Sequence, residues 1–85
     1  MVISVELSLY PLMDDYLSVI KSFIKDLEQI DHVEVIRNGM STQLFGEFSV
    51  VMPAVSNLLE QSFSKFGKQI LVAKFFNDDR RPQSK

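Results

Sequence analysis

The sequence predicts an α+β domain of the ferredoxin-like class, β-α-β-β-α-β. Its four-stranded antiparallel sheet has the order 4-1-3-2, with two helices on one face. Three observations lead there. Segments of alternating polar and apolar residues open the chain and occupy its middle, a strand apolar on both faces closes it, and two segments with apolar residues spaced by three and four lie between them. The dipeptide Asn38-Gly39 marks a tight turn, because both residues tolerate positive φ. Right-handed crossovers then put both helices on the same side and make the first and third strands central, antiparallel neighbours.

Residues 2–10 alternate cleanly, with Ile3, Val5, Leu7 and Leu9 on one face and Ser4, Glu6, Ser8 and Tyr10 on the other. Pro11 ends this strand, since it has no N–H for the ladder. Asp14 or Asp15 is placed to cap the first helix, which runs to about Ile30. Its apolar stripe is Tyr16, Leu17, Ile20, Phe23, Ile24, Leu27 and Ile30, and Lys21, Lys25, Asp26 and Glu28 fill the solvent side. Residues 33–37 form a short second strand with Val33 and Val35 facing in.

The third strand spans residues 40–48, with Thr42, Leu44, Gly46 and Phe48 toward the core and Ser41, Gln43, Phe45 and Glu47 on the other face. Ser49 is read as the cap of the second helix, with Pro53 tolerated in its first turn. Val55, Leu58, Leu59, Ser62, Phe63 and Phe66 make its stripe, and Gly67 terminates it. Residues 69–76 form the last strand. If Leu71, Ala73 and Phe75 face the helices, Ile70, Val72, Lys74 and Phe76 extend the open face. The domain is thus assigned to residues 1–77, and the polar residues 78–85 to a loose tail whose Asp78-Asp79-Arg80-Arg81 run is solvated.

With 85 residues the chain is one domain, too small to bury much more than about two-thirds of its unfolded surface. It has no cysteine for a disulfide, and His32 alone cannot supply a structural zinc site, so no metal and no cofactor are expected. Apolar residues make up 46% of the chain, including seven Phe, which points to self-association. Met13, Met40 and Met52 read as gap-fillers or interface packing. A net charge of −2 argues against nucleic-acid binding, which needs a basic face to neutralise phosphates. No apolar run approaches the ~20 residues of a membrane span. The N-terminus lacks the basic and apolar regions of a signal peptide, so a cytoplasmic protein is expected.

The outward residues of the two central strands lie side by side, Ser4, Glu6, Ser8 and Tyr10 against Ser41, Gln43, Phe45 and Glu47. This face is either a ligand pocket or a wet dimer interface. Phe45 or Tyr10 would stack on an aromatic heterocycle, while Ser8, Ser41, Gln43 and Glu6 or Glu47 would hydrogen-bond its polar edge. Thr42 is either a ligand contact or a buried hydroxyl bonded to backbone, and the two carboxylates equally fit cross-strand pairing with Lys74. No nucleophile, metal-ligand cluster or phosphate loop accompanies them, so no catalytic residue is assigned. A last strand apolar on both faces implies that the open sheet face is covered by another subunit, in a homo-dimer or homo-tetramer.

Three segments in order carry a resemblance: Ser-Val-Glu-Leu-Ser-Leu-Tyr-Pro-Leu from Ser4, Gly-Met-Ser-Thr-Gln-x-Phe-Gly-Glu from Gly39, and Gly-Lys-x-x-x-Val-x-Lys-Phe from Gly67. Together they resemble the thiamine-binding, YkoF-like family across nearly the whole chain. The resemblance implies the ferredoxin-like fold, oligomers joined through their sheets, and non-catalytic binding of thiamine or its hydroxymethylpyrimidine part. Thr42, Gly46, Ser8 and Pro11 match the family's pattern by position. The family often carries a carboxylate just before the glycine, where this chain has Phe45, with Glu47 one residue beyond it. Two functional classes follow: a carrier or sensor for a thiamine-like heterocycle at a subunit seam, or a structural or regulatory oligomerisation module without a small ligand.

Overall fold

The computed structural model describes residues 1–82. Among these, β1 (Val2–Pro11), α1 (Tyr16–Glu28), β2 (Glu34–Arg37), β3 (Thr42–Glu47), α2 (Phe48–Lys65) and β4 (Gln69–Phe76) follow one another. The strands form one antiparallel sheet in the order β2-β3-β1-β4, which is 4-1-3-2 read from the other edge. The ferredoxin-like arrangement is therefore the observed one.

β1 is the hub, because its inward residues are in register with both neighbours. Ile3 lies opposite Gly46, Val5 opposite Leu44 and Phe75, and Leu7 opposite Thr42 and Ala73. With Phe23 and Leu27 of α1 and Val51 and Val55 of α2 they make the core. Val5, Leu27 and Leu44 are fully buried, and each such aliphatic side chain contributes roughly 1.5–3 kcal/mol over its exposed state. Gly46 lets the layers close. A Cβ there would sit 3.1 Å from the His32 carbonyl oxygen and 3.2 Å from Val51 Cγ2, closer than ordinary contact.

The helices depart from expectation in their phase and in their ends. The buried line of α1 is Val19, Phe23 and Leu27, an i, i+4, i+8 row, while Tyr16 and Leu17 are exposed at the helix start. Asp15 makes no side-chain capping bond, for its ψ of 45° is not the extended backbone that turns a cap's side chain back onto the first amides. β3 ends at Glu47 and α2 begins at Phe48 with no loop between them, so Ser49 is inside the helix and not its cap. Phe48 is exposed instead of core-facing, and its N–H still donates to the Met1 carbonyl at 2.9 Å. Pro53 consequently falls inside the helix, beyond the first turn. The Ser49 carbonyl loses its helical donor there, and Ser49's exposure lets water replace it. Val51 replaces Phe63 in the buried stripe of α2, and Phe63 is about half exposed.

The turn between β2 and β3 is closed by a side chain. Asn38 Oδ1 accepts from the N–H groups of Met40 (2.8 Å) and Ser41 (2.9 Å), and the Asn38 N–H donates to the Ser41 carbonyl at 3.1 Å. The tight turn expected at Asn38-Gly39 is there, but neither residue has the positive φ that both tolerate; the local carboxamide bonds supply the reversal in its place. Among the described residues, no helix is long and apolar enough to cross a membrane.

The polar segment after β4 also differs from expectation. Residues 78–81 stay largely exposed, as expected, but they are not loose: they lie against the open sheet face, bonded to Ser4 and Glu34. The remainder of the expected tail, residues 83–85, lies outside the described residues.

The turn geometry predicts opposite outcomes for its two residues. A Cβ on Gly39 meets nothing within 4 Å, so Gly39→Ala is expected to be neutral or to stabilise by up to about 1 kcal/mol through the unfolded chain. Asn38→Ala removes both carboxamide bonds and is expected to cost about 1–2 kcal/mol. Urea unfolding of the two variants checks the pair, and a costly Gly39→Ala would contradict the turn described here.

Candidate functional site

The open face of the sheet is built in rows by the strand register. Glu34, Phe45, Ser4 and Phe76 align across β2, β3, β1 and β4, and Ile36, Gln43, Glu6 and Lys74 form the next row. Ser8 then lies beside Val72, and Tyr10 beside Ile70. Glu6 is at the centre of this face. Its Oε2 accepts from Ser41 Oγ at 3.0 Å, and its Oε1 stands 3.6 Å from Lys74 Nζ. A shallow cavity of about 120 Å³ lies between the first two rows, with Ser4, Glu6, Gln43, Phe45, Lys74 and Phe76 in its lining.

A second cavity, of about 160 Å³, opens at the end of the sheet. β3 pairs with β1 only as far as Thr42 opposite Leu7, so the last part of β1 pairs with β4 alone. The gap is lined by Ser8, Tyr10, Ser41 and Thr42, by Asn38–Met40 of the turn, and by Ile20, Phe23 and Ile24 of α1. The eight residues expected to bind a ligand are therefore divided. Glu6, Gln43 and Phe45 border the first cavity, Ser8, Tyr10, Ser41 and Thr42 the second, and the Ser41–Glu6 hydrogen bond joins the two. Thr42 is buried on the helix side of the sheet. Glu47 belongs to neither cavity: it is exposed, and its Oε2 lies 2.9 Å from the Met1 amino nitrogen.

The C-terminal strap covers the first row. Ser4 Oγ donates to the Asp78 carbonyl and accepts from the Arg80 N–H, both at 2.7 Å. The Arg80 guanidinium lies 5.0 Å from the centre of the Phe76 ring, and that of Arg81 lies 5.6 Å from the centre of the Phe45 ring. Arg81 also donates to Glu34 Oε1 at 2.9 Å and to Asp79 Oδ1 at 3.0 Å. Phe45 is left only 3% exposed. Each Ser4 bond contributes about 0.5–1.5 kcal/mol, and ordering each strap residue costs about 1–2 kcal/mol.

Sequence reasoning puts Ser4 on the open face without a ligand role, reads Arg80 and Arg81 as part of a solvated run, and does not single out Glu34. Their signal is long-range: a Ser among aromatic outward positions and an Arg pair beyond the last strand, with no periodicity to join them. The Arg81 side chain, followed by its backbone N–H, bonds the Asp79 carboxylate and holds its pKa below the ordinary value, against a smaller opposing desolvation. The same bond raises Arg81 further above its already high value. Among the described residues, no group of three or more His, Asp or Glu side chains is placed to hold a metal ion.

The sequence pattern of the YKOF-related family matches residues 2–71. No functionally curated protein matches the chain. Solved structures share the fold at low identity. One, from Streptococcus pneumoniae, is 23% identical with a TM-score of 0.84, covering 94% of this chain and 90% of the other. Another, a candidate thiamine biosynthesis/salvage protein from Thermotoga maritima, is 18% identical with a TM-score of 0.81, covering 92% and 85%. A domain of unknown function from Bacillus cereus is 20% identical with a TM-score of 0.77, covering 99% and 83%.

The Asp79–Arg81 bond makes a prediction with a definite sign. A depressed native pKa means that the bond's contribution is fully present above the unfolded value and is lost as pH falls through the native one. In an NMR titration the Asp79 carboxyl is expected to turn over below the ordinary 3.8. Arg81→Gln is expected to bring that midpoint back up to the ordinary range; an unchanged midpoint would show that the bond does not form in solution.

Proposed function

We propose, from the premise that the chain belongs to the YKOF-related family, that it binds thiamine or a related hydroxymethylpyrimidine-type heterocycle. Binding is non-catalytic, on the open sheet face at a seam between two copies, and the protein acts as a carrier or sensor.

The observation that carries this reading is Glu6. A carboxylate held by Ser41 Oγ at 3.0 Å stands at the centre of the face, flanked by Gln43 and with Phe45 in the next row. A carboxylate can accept from an exocyclic amine, and it attracts a thiazolium cation. The Gln43 carboxamide can bond ring nitrogens, and an aromatic side chain supplies a flat apolar surface. A cavity of about 120 Å³ is smaller than the ~300–1,000 Å³ of typical ligand sites. One copy thus offers only part of a pocket, which favours a seam. The thiamine-related description of the Thermotoga maritima structure points the same way.

A second reading is favoured by a separate observation. Tyr10, Ile70, Val72 and Phe76 are all about half exposed on this face, and such an apolar strip is suited to burial against another copy with no ligand between. The first reading requires a seam with a polar cavity at Glu6, whereas the second requires one packed solid.

Isothermal titration with thiamine and with its pyrimidine and thiazole halves separates them. Micromolar binding of thiamine is expected, with Glu6→Gln weakening it about tenfold or more, the effect of losing a charge-assisted hydrogen bond. No heat from any of the three compounds would favour the oligomerisation module. In either case Val72→Lys is expected to convert a dimer or tetramer to monomer in sedimentation velocity; a wild-type monomer would remove the seam altogether.

A further inference from the structure

The first row of the open face already holds a ligand-like group supplied by the chain itself. Arg81 is a planar, delocalised nitrogen cation. It lies over the Phe45 ring at 5.6 Å and is bonded to the Glu34 carboxylate at 2.9 Å. An aromatic face with a carboxylate beside it is the pairing that recognises a flat organic cation. Ser4 pins the backbone on either side of Asp79, and so places Arg81 on the ring one strand further across.

We propose that Phe45 and Glu34 form a site for planar nitrogen cations which the chain's own Arg81 fills, so that the C-terminal strap and such a ligand exclude one another. This rests on reading the open face as a heterocycle site, and it adds Glu34 and the strap to that site. The ligand class is a flat ring or amidine carrying positive charge, of which thiamine's thiazolium is one case. A ligand seated on Phe45 lifts Arg81 from the ring and leaves Asp78 and Arg80 free to leave Ser4. Occupancy of the site is thereby converted into release of a segment that starts at the end of β4.

Two variants separate release of the strap from a change in charge. Ser4→Ala removes the pin and leaves every charge in place, whereas Arg81→Gln removes the internal cation. If the strap is docked in about nine molecules of ten, freeing it tightens binding about tenfold. Both variants are therefore expected to bind thiamine about tenfold more tightly than the wild type by isothermal titration. Strap release is read independently by trypsin, because the Arg80–Arg81 bond is cleavable once undocked while the Arg81–Pro82 bond resists cleavage. Ser4→Ala is expected to be cut there faster than the wild type, and saturating thiamine is expected to speed cleavage of the wild type.

Equal affinities for the wild type and Ser4→Ala, or wild-type cleavage unaffected by saturating thiamine, would overturn the mutual exclusion while leaving thiamine binding in place. A Ser4→Ala protein cut no faster than the wild type would overturn the pin. Absence of thiamine binding in all three proteins, with Ser4→Ala still cut faster, would overturn the heterocycle reading and the proposed cation site with it.

Discussion

The governing constraint is that one layer of helix serves one face of the sheet. α1 and α2 bury the inward residues of β1 and β3, and the core this makes is closed on that side. Among the described residues there is no further helix for the opposite face. Outward positions therefore divide between groups that tolerate water and groups that need a cover. Glu6, Ser8 and Gln43 are of the first kind, and Phe45, Val72 and Phe76 of the second. Ser4 serves the cover directly, through its two short bonds to the strap.

Much of the fold was legible because it rests on parity. Once Val5 and Leu44 are assigned inward, period-two alternation assigns every residue of β1 and β3, and the observed register pairs these two residues. The helix ends were less legible. Ser49 resembles a cap and Phe48 a core strand residue, yet the backbone turns directly at Glu47 because α2 packs over Gly46. The Asn-Gly pair correctly marked a reversal, but the Asn38 side chain achieved it without a left-handed glycine. Val19 was missed in α1 because Tyr16 and Leu17 offered a competing apolar line that nothing in the fold covers.

The site was legible as a face but not as a geometry. Alternation named Glu6, Ser41, Gln43 and Phe45 correctly as outward neighbours, while placing Glu47 with them ignored its distance along the strand from Glu6. Thr42 shows the limit of residue type: alternation puts it inward and the register sets it beside Leu7, but its hydroxyl suits a ligand contact as well as a backbone bond. The strap was invisible for a different reason. Its contacts span 74 and 76 residues from Ser4, and a run of two acids and two arginines reads locally as solvated charge.

β4 is an edge strand, and its sequence Gln-Ile-Leu-Val-Ala-Lys-Phe-Phe carries one charge. Exposed edges of this composition pair readily with other strands, and a single lysine is a common guard against that. Lys74 is that guard, and it is also the cation facing Glu6. Solubility of the free chain and the electrostatics of its central carboxylate therefore depend on the same ammonium group. An apolar residue at position 74 would leave an unbroken sticky ribbon along one side of the molecule, so a loss of binding in such a variant would have to be separated from amyloid-like association before it said anything about recognition.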